Sequence, residues 1–417
     1  MRRRPLGLTA SLLTAGYLAL GVAARAEPAD PVAAPPVASG CPGDIAREAR
    51  ARGVPEAVAG RLSELAPDPE VVAATQNQAE FVKPIWAYLD ANLTEARIEA
   101  GRAKLQALAP TLAAIEARYG VDRHVLVAFW GVESTYGSVL DDPGIVRPVL
   151  RSLATLACAG TPRAPYWRSE LVAALEILAQ DRPPAEPLTG SWAGAMGHTQ
   201  FMPTVYQAYA VDFDGDSRRD IWTSVPDALA STANYLRAMG WRPGERWGSE
   251  ARLPEGFDYA LADEGTERTF AEWRALGVEP LNEGAANGAA TDPFARATLI
   301  VPAGARGPAF LLQPNFRMIL RYNTALAYAL TVGHLSDRLR GAPAFARDWP
   351  RADAMPSAEA LKGLQARLTE LGFPAGGADG KPGPRTRAAI RAYQAARSLT
   401  PDGYADAALM ERIRAEP

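Results

Sequence analysis

Around Glu133 the sequence places an acid on the apolar face of a helix. Asp122 is a ready N-cap, and Val125, Leu126, Phe129 and Trp130 follow at helical spacing up to Glu133. At 3.6 residues per turn, Glu133 lies seven positions past Leu126, four past Phe129 and three past Trp130, so it shares their face. A fold that buries this face must bury the carboxyl with it. Burial disfavours the anion and raises the pKa, which is the state a general acid needs near neutral pH. The plainer reading is a Glu paired with a buried Arg, or one at a helix end facing water.

Helical periodicity dominates the rest of residues 41–340. Ile98, Leu105, Leu108, Leu112 and Ile115 recur at spacings of three, four and seven, as one face of an amphipathic helix does. Further helical patterns cover about 168–180, 226–239 and 315–338. Strand-like alternation is confined to 297–301 and 309–312, and 243–295 reads as irregular, rich in Gly, Pro and acids. The last 60 residues restart as a separate unit. Ser357 caps a helix carrying Leu361, Leu364, Leu368 and Leu371, which Gly372 stops. A second helix carries Ile390 and Tyr393, and a third Leu409, Met410 and Ile413. The expected fold is mainly α with minor β, plus a small three-helix C-terminal domain. The segments are 1–26, a Pro/Ala linker at 27–40, a long region at 41–340, a linker at 341–356 and the module at 357–417.

The first 26 residues carry a cationic start (Arg2–Arg4), an apolar stretch from Leu6 to Val22 and a small-x-small site at Ala24-Arg25-Ala26. Those are the parts of a cleavable secretory signal, and they predict a periplasmic protein. Cys41 lies too far beyond the apolar stretch for a lipoprotein anchor. An exported chain can form a disulfide, and Cys41–Cys158 is the one intramolecular choice; two separate buried thiols are the alternative. Lys+Arg number 44 against 47 Asp+Glu, and the first 26 residues hold four Arg and no acid. Their removal leaves 40 against 47, a mildly acidic chain that excludes nonspecific nucleic-acid binding. Two Cys and three scattered His exclude Cys-rich zinc modules and two-His metalloprotease helices. Phosphate-loop and nucleophile-elbow motifs are absent.

A second segment, SWAGAMGHTQFMP at Ser191–Pro203, mixes small residues at Ala193, Gly194, Ala195 and Gly197 with Trp192, Phe201 and Met202. Small residues let a backbone come close to a ligand or another helix, and Ser191 and Gln200 add hydrogen-bonding groups. Sugars present C–H patches and hydroxyls, which aromatic faces beside amide and hydroxyl groups suit.

Taken in order, GVESTYG, SWAGAMGHTQFMP and NFRMILRYN (Asn315–Asn323) resemble the type B membrane-bound lytic murein transglycosylases over roughly 41–340. LQARLTELGF, DGKPGPRTRAAIRAYQ and DGYAD resemble the three-helix peptidoglycan-binding module of many wall enzymes. The first resemblance implies a lysozyme-like helical catalytic domain that cuts the β-1,4 bond between N-acetylmuramic acid and N-acetylglucosamine without water. It places the catalytic acid on Glu133, and sugar contacts on Ser191, Gln200 and Asn323. Tyr235 and Tyr328 match groove tyrosines of the family, and Tyr88, Arg163 and Tyr166 match less specific stretches. The partner implied is the peptidoglycan glycan strand; cell-wall synthesis machinery is not readable from the sequence. The rivals are a hydrolytic muramidase, which wants a second carboxylate opposite Glu133, and a non-catalytic wall-binding scaffold.

Asp212, Asp214 and Asp216 are spaced two apart, like the start of an EF-hand loop. The resemblance adds Asp227 as a late ligand and the backbone carbonyl of Arg218, for a structural Ca²⁺ or Na⁺ and no catalytic cofactor. Ser217 and Thr223 depart from the Gly and Glu of the standard loop, and a solvated acidic turn is the alternative.

Overall fold

The computed structural model describes residues 40–75, 78, 80, 83–180, 187–263, 265–281 and 292–417. Residues 1–26, read above as a secretory signal, and all of the first linker but Gly40 lie outside the described residues. The chain divides into two compact units. Of the described residues, one comprises those up to 80 and those within 91–243 and 318–332; the other comprises those within 83–90, 244–317 and 333–417. No helix among the described residues is long and apolar enough to cross a membrane.

The first unit is helical, as expected. The apolar face across 98–115 is carried by two helices, Glu95–Ala107 and Ala109–Tyr119, and not by one. Pro110 in the first turn of the second explains the break, since it lacks an N–H and its ring excludes the carbonyl four residues back. The burial stripe still carries over, with Ile98, Leu112 and Ile115 all buried. Helix Arg123–Ser134 starts where Asp122 accepts a hydrogen bond from His124 N at 2.7 Å. Every residue from Val125 to Ser134 is buried, so this helix runs through the interior. It stops abruptly at Thr135 and Tyr136, both non-glycine residues held at positive φ (50° and 58°). Helix Val225–Ala238 is capped by Ser224, whose hydroxyl accepts from Asp227 N.

Cys41 opens the first helix, Cys41–Ala51, and is bridged to Cys158 at the end of helix Val149–Ala157. The 315–338 pattern is likewise two helices, Pro314–Tyr322 and Leu326–Leu339. Asn323 separates them, because its Oδ1 accepts from Ala325 N at 2.9 Å and diverts the backbone from helical bonding.

The second unit contains a five-stranded antiparallel sheet in the order Glu267–Thr269, Arg296–Ile300, Ala309–Leu312, Gly248–Arg252, Glu279–Pro280. The two strands read from alternation are there. The irregular reading of 243–295 is corrected, since three more strands and helix Phe270–Ala275 lie within it. These strands are two to five residues long, and Gly248–Arg252 carries Ser249 and Glu250 at buried positions. Alternation could not reveal them because polar side chains stand at buried positions, and the charge of Glu250 is met by distant partners. Glu250, for one, accepts from Ala346 N and Arg347 N at 2.7 and 2.8 Å. The C-terminal helices Ala358–Glu370, Pro384–Ala396 and Ala407–Ala415 enclose Leu364, Leu368, Ile390, Tyr393 and Ile413. Gln365 and Gln394 each pin a following Asp-Gly turn, through Gly380 N and Gly403 N.

Candidate active site

Glu133 is 5% exposed, among Leu126 and Phe129 (0%) and Trp130 (2%). The face drawn from helical spacing is therefore the buried one. Oε1 accepts a hydrogen bond from the Tyr328 hydroxyl at 2.5 Å, and Oε2 is buried with no hydrogen-bond partner. Burial pushes the carboxyl well above its ordinary range, and the Tyr328 hydrogen bond offsets this in part. The acid is thus set up to hold a proton at neutral pH, with one oxygen anchored and the other open for transfer.

A cavity of about 210 Å³ is lined by Glu133, Ser191 and Gln200, with Val139–Asp141, Ile145, Thr189, Gly190, Trp222 and Thr223 among the other walls. A short antiparallel ladder of Arg147–Pro148 with Thr189–Gly190 places the Ser191 loop, and bridges Gly190–Met196 and Met196–Phe201 fold it back. Ser191 Oγ accepts from Ala193 N and Ala195 N, at 3.3 and 3.2 Å, so it shapes the loop it stands on. Gly197 is needed here, because at φ +66° a Cβ would lie 2.3 Å from Ile221 O. Gln200, at φ 54°, donates from Nε2 to Gly197 O at 2.8 Å.

The other expected residues are distributed more widely. Asn323 is fully buried and is not among the residues lining the cavity. Tyr328 reaches the acid itself. Tyr235 is buried and donates to Arg321 O at 3.0 Å, the bond of a satisfied core tyrosine. Arg163 stacks over Trp167 and Tyr166, with Nε and Nη2 buried and unpartnered. Tyr166 lies beside Glu170, and burial raises its phenol. Tyr88 is buried within the second unit.

Two neighbours of the acid were not singled out from the sequence. Tyr322 lies against Phe129, with ring centroids 4.6 Å apart, and donates to Thr199 O at 2.5 Å. His198 Nδ1 accepts from Trp130 Nε1 at 3.0 Å, and burial lowers the imidazole to about 4, so the ring is neutral. Both stand inside recognised motifs, as the Tyr of RYN and the His of GHTQF, and membership of those motifs was the available signal. Asp141, also unforeseen, adds a carboxylate to the cavity wall.

In the acidic loop, Asp212, Asp214, Asp216 and Asp227 each bring a carboxylate oxygen within 4.8 Å of the others. Asp227 is fully buried, and its oxygens accept from Phe213 N (2.7 Å), Asp214 N (3.3 Å) and Asp220 N (2.9 Å). Ser217 takes φ 69°, the left-handed conformation that glycine ordinarily supplies. Four hard oxygens at this spacing fit a hard cation such as Ca²⁺.

A dry carboxyl on a helical scaffold, opening on a cavity with hydroxyl and amide groups, has the make-up of a glycan-cleaving acid catalyst. The chain belongs to the transglycosylase SLT domain family, which residues 40–337 match, and residues 357–413 match the peptidoglycan binding domain family. Membrane-bound lytic murein transglycosylase B of Escherichia coli (strain K12) is 35% identical over 223 residues, 52% of this chain and 56% of that protein. The chain thus spans little more than half the length of this curated relative. Among solved structures, SltB3 from Pseudomonas aeruginosa in complex with NAG-anhNAM-pentapeptide superposes with a TM-score of 0.82 at 43% identity, covering 89% of this chain and 98% of that one. The Escherichia coli lytic transglycosylase Slt35 in complex with calcium gives 0.58 at 28% identity, covering 72% and 92%.

Proposed function

We propose that this chain is a lytic murein transglycosylase, exported on residues 1–26, that cleaves the MurNAc-β-1,4-GlcNAc bond of peptidoglycan and leaves a 1,6-anhydro-MurNAc end. The observation that carries this is the Glu133 carboxyl, buried and unpaired by any cation, with one oxygen held by Tyr328 and the other open. Protonated Glu133 gives its proton to the glycosidic oxygen as the C1–O bond breaks. The muramic C6 hydroxyl then bonds to C1 and returns its proton to the Glu133 carboxylate. Because the nucleophile is part of the substrate, its effective concentration is high and a second carboxylate to activate water is unnecessary. Ser191, Gln200 and Asn323 hold the sugars, with Arg163 and Tyr166 as supporting residues. The C-terminal module, 357–417, raises the local substrate concentration by tethering the enzyme to the wall. Asp212, Asp214, Asp216 and Asp227, with the Arg218 carbonyl, hold a structural Ca²⁺; the calcium complex of the related Slt35 supports this.

Mass spectrometry of the products from purified sacculi tests the reading. Anhydro-muropeptides are expected from the native enzyme, and none from Glu133→Gln, which should still bind the wall. Reducing muramic ends as the main product would establish hydrolysis instead, and no products at all would leave a scaffold.

A further inference from the structure

Five non-glycine residues take a positive φ among the described residues, and three of them stand at the site. Gln200 lines the cavity, and Thr135 and Tyr136 follow the acid by two and three positions. A β-branched residue in the left-handed region is strained, and such strain persists only where the surroundings over-determine it. Here they act from three sides. The Tyr136 hydroxyl donates to Arg97 O at 2.9 Å, and Arg97 Nη2 donates to Thr135 Oγ1 at 3.3 Å. The Tyr136 ring meets Trp130 edge-on, with centroids 5.6 Å apart, and lies on the Gly131 backbone, where a Cβ would come within 2.7 Å of it. Ser134 Oγ donates to His198 O at 2.7 Å and accepts from Gly137 N at 3.0 Å, which ties the turn to the loop of Ser191 and Gln200. The mechanism above uses none of these groups.

In a helix, the residues three and four past Glu133 share its face, and their side chains tilt back towards the N-terminus. Tyr136 and Gly137 hold those positions, so a helix that ran on would set the Tyr136 ring over the acid. The left-handed pair instead ends the helix at Ser134 and redirects the chain. Val139, Leu140 and Asp141 then form a wall of the cavity on which Glu133 opens. We propose that Tyr136 is a positioning residue for the reaction: it clasps the left-handed turn against Arg97 and Gly131, and the closed turn keeps the Glu133 carboxyl uncovered and aimed into the cavity. Tyr136 acts through Glu133 and touches no sugar. This rests on the reading of Glu133 as the proton donor, and adds the device that directs it.

The test is the steady-state rate of anhydro-muropeptide release by the full chain from soluble glycan strands, with kcat and KM separated and melting temperature measured on each variant. Tyr136→Phe deletes only the hydroxyl that reaches Arg97. Its kcat should fall about tenfold or more with KM within about twofold, because a misaimed acid loses rate and not binding. Thr135→Gly frees the turn while removing its strain, so kcat should fall by a similar factor while the melting temperature holds or rises. Thr135→Asn tolerates the left-handed region and keeps an oxygen for Arg97, and it should recover most of that rate. A native kcat in Tyr136→Phe, a change confined to KM, rate losses that only track falling melting temperatures, or a Thr135→Asn as slow as Thr135→Gly would each overturn the proposal. Failure of the parent reading looks different: Glu133→Gln would keep cleaving, whatever the turn variants do to kcat.

Discussion

Replacing Tyr328 by Phe isolates the one hydrogen bond that moderates the acid. Tyr328 is 0% exposed and its hydroxyl donates to Glu133 Oε1 at 2.5 Å. The substitution deletes one oxygen and leaves both carboxylate oxygens without that donor in an apolar surround. A hydrogen bond to a charged acceptor contributes about 1.5–3 kcal/mol, and here it favours the anion over the acid. At about 1.4 kcal/mol per pH unit, its loss should move the alkaline limb of kcat/KM upward by about one to two pH units. The limb reports the protonated acid of the free enzyme, since Glu133 must carry its proton to begin the reaction. Release of soluble muropeptides from sacculi between pH 5 and 10, quantified by chromatography, measures it. The slope on the acid side should persist, and the protein should melt close to the native temperature, because only a hydroxyl has gone. A limb that stays put, or moves to lower pH, would show that the Tyr328 bond does not set the proton affinity of Glu133 and would undo the argument.

Other consequences are as open to measurement. The Cys41–Cys158 bridge spans 117 positions, which by chain entropy stabilises the fold by about 5 kcal/mol; the Cys41→Ser/Cys158→Ser pair should unfold at markedly lower denaturant, and an unchanged midpoint would contradict this. His198 is held neutral, lowered from 6.5 to about 4, so the unfolded chain binds a proton in that window that the folded chain does not. Its share of stability is full above pH 6.5 and is lost as the pH falls towards 4, about 2–3 kcal/mol by pH 4.5. Urea unfolding at pH 7 and 4.5 should show this loss shrinking in His198→Gln, and equal losses in both proteins would refute it. Calcium at millimolar concentration should raise the melting temperature by relieving repulsion among Asp212, Asp214, Asp216 and Asp227, and Asp227→Asn should abolish the rise; no shift in the native protein would end the cation assignment.

The sequence by itself determined the helical character of the long region, the three C-terminal helices with the Ser357 cap, and the apolar face that Glu133 shares. All of these follow from local periodicity, since which side chains share a face depends only on residues within a few turns. It also carried the motifs that hold Ser191, Gln200, Asn323 and the four loop acids. The breaks after Ala107 and at Asn323 were visible only as Pro110 and an Asx residue, and the continuous apolar stripe concealed them. The short strands between 243 and 295 escaped because their stability comes from pairing with 296–312 and from contacts such as those of Glu250, which no local pattern encodes. The choice between a bridge and two thiols at Cys41 and Cys158 fell to the tertiary structure for the same reason. So did the partner of the acid. Tyr328 stands 195 residues from Glu133, and only packing decides which hydroxyl meets a buried carboxyl and which oxygen is left open for the sugar.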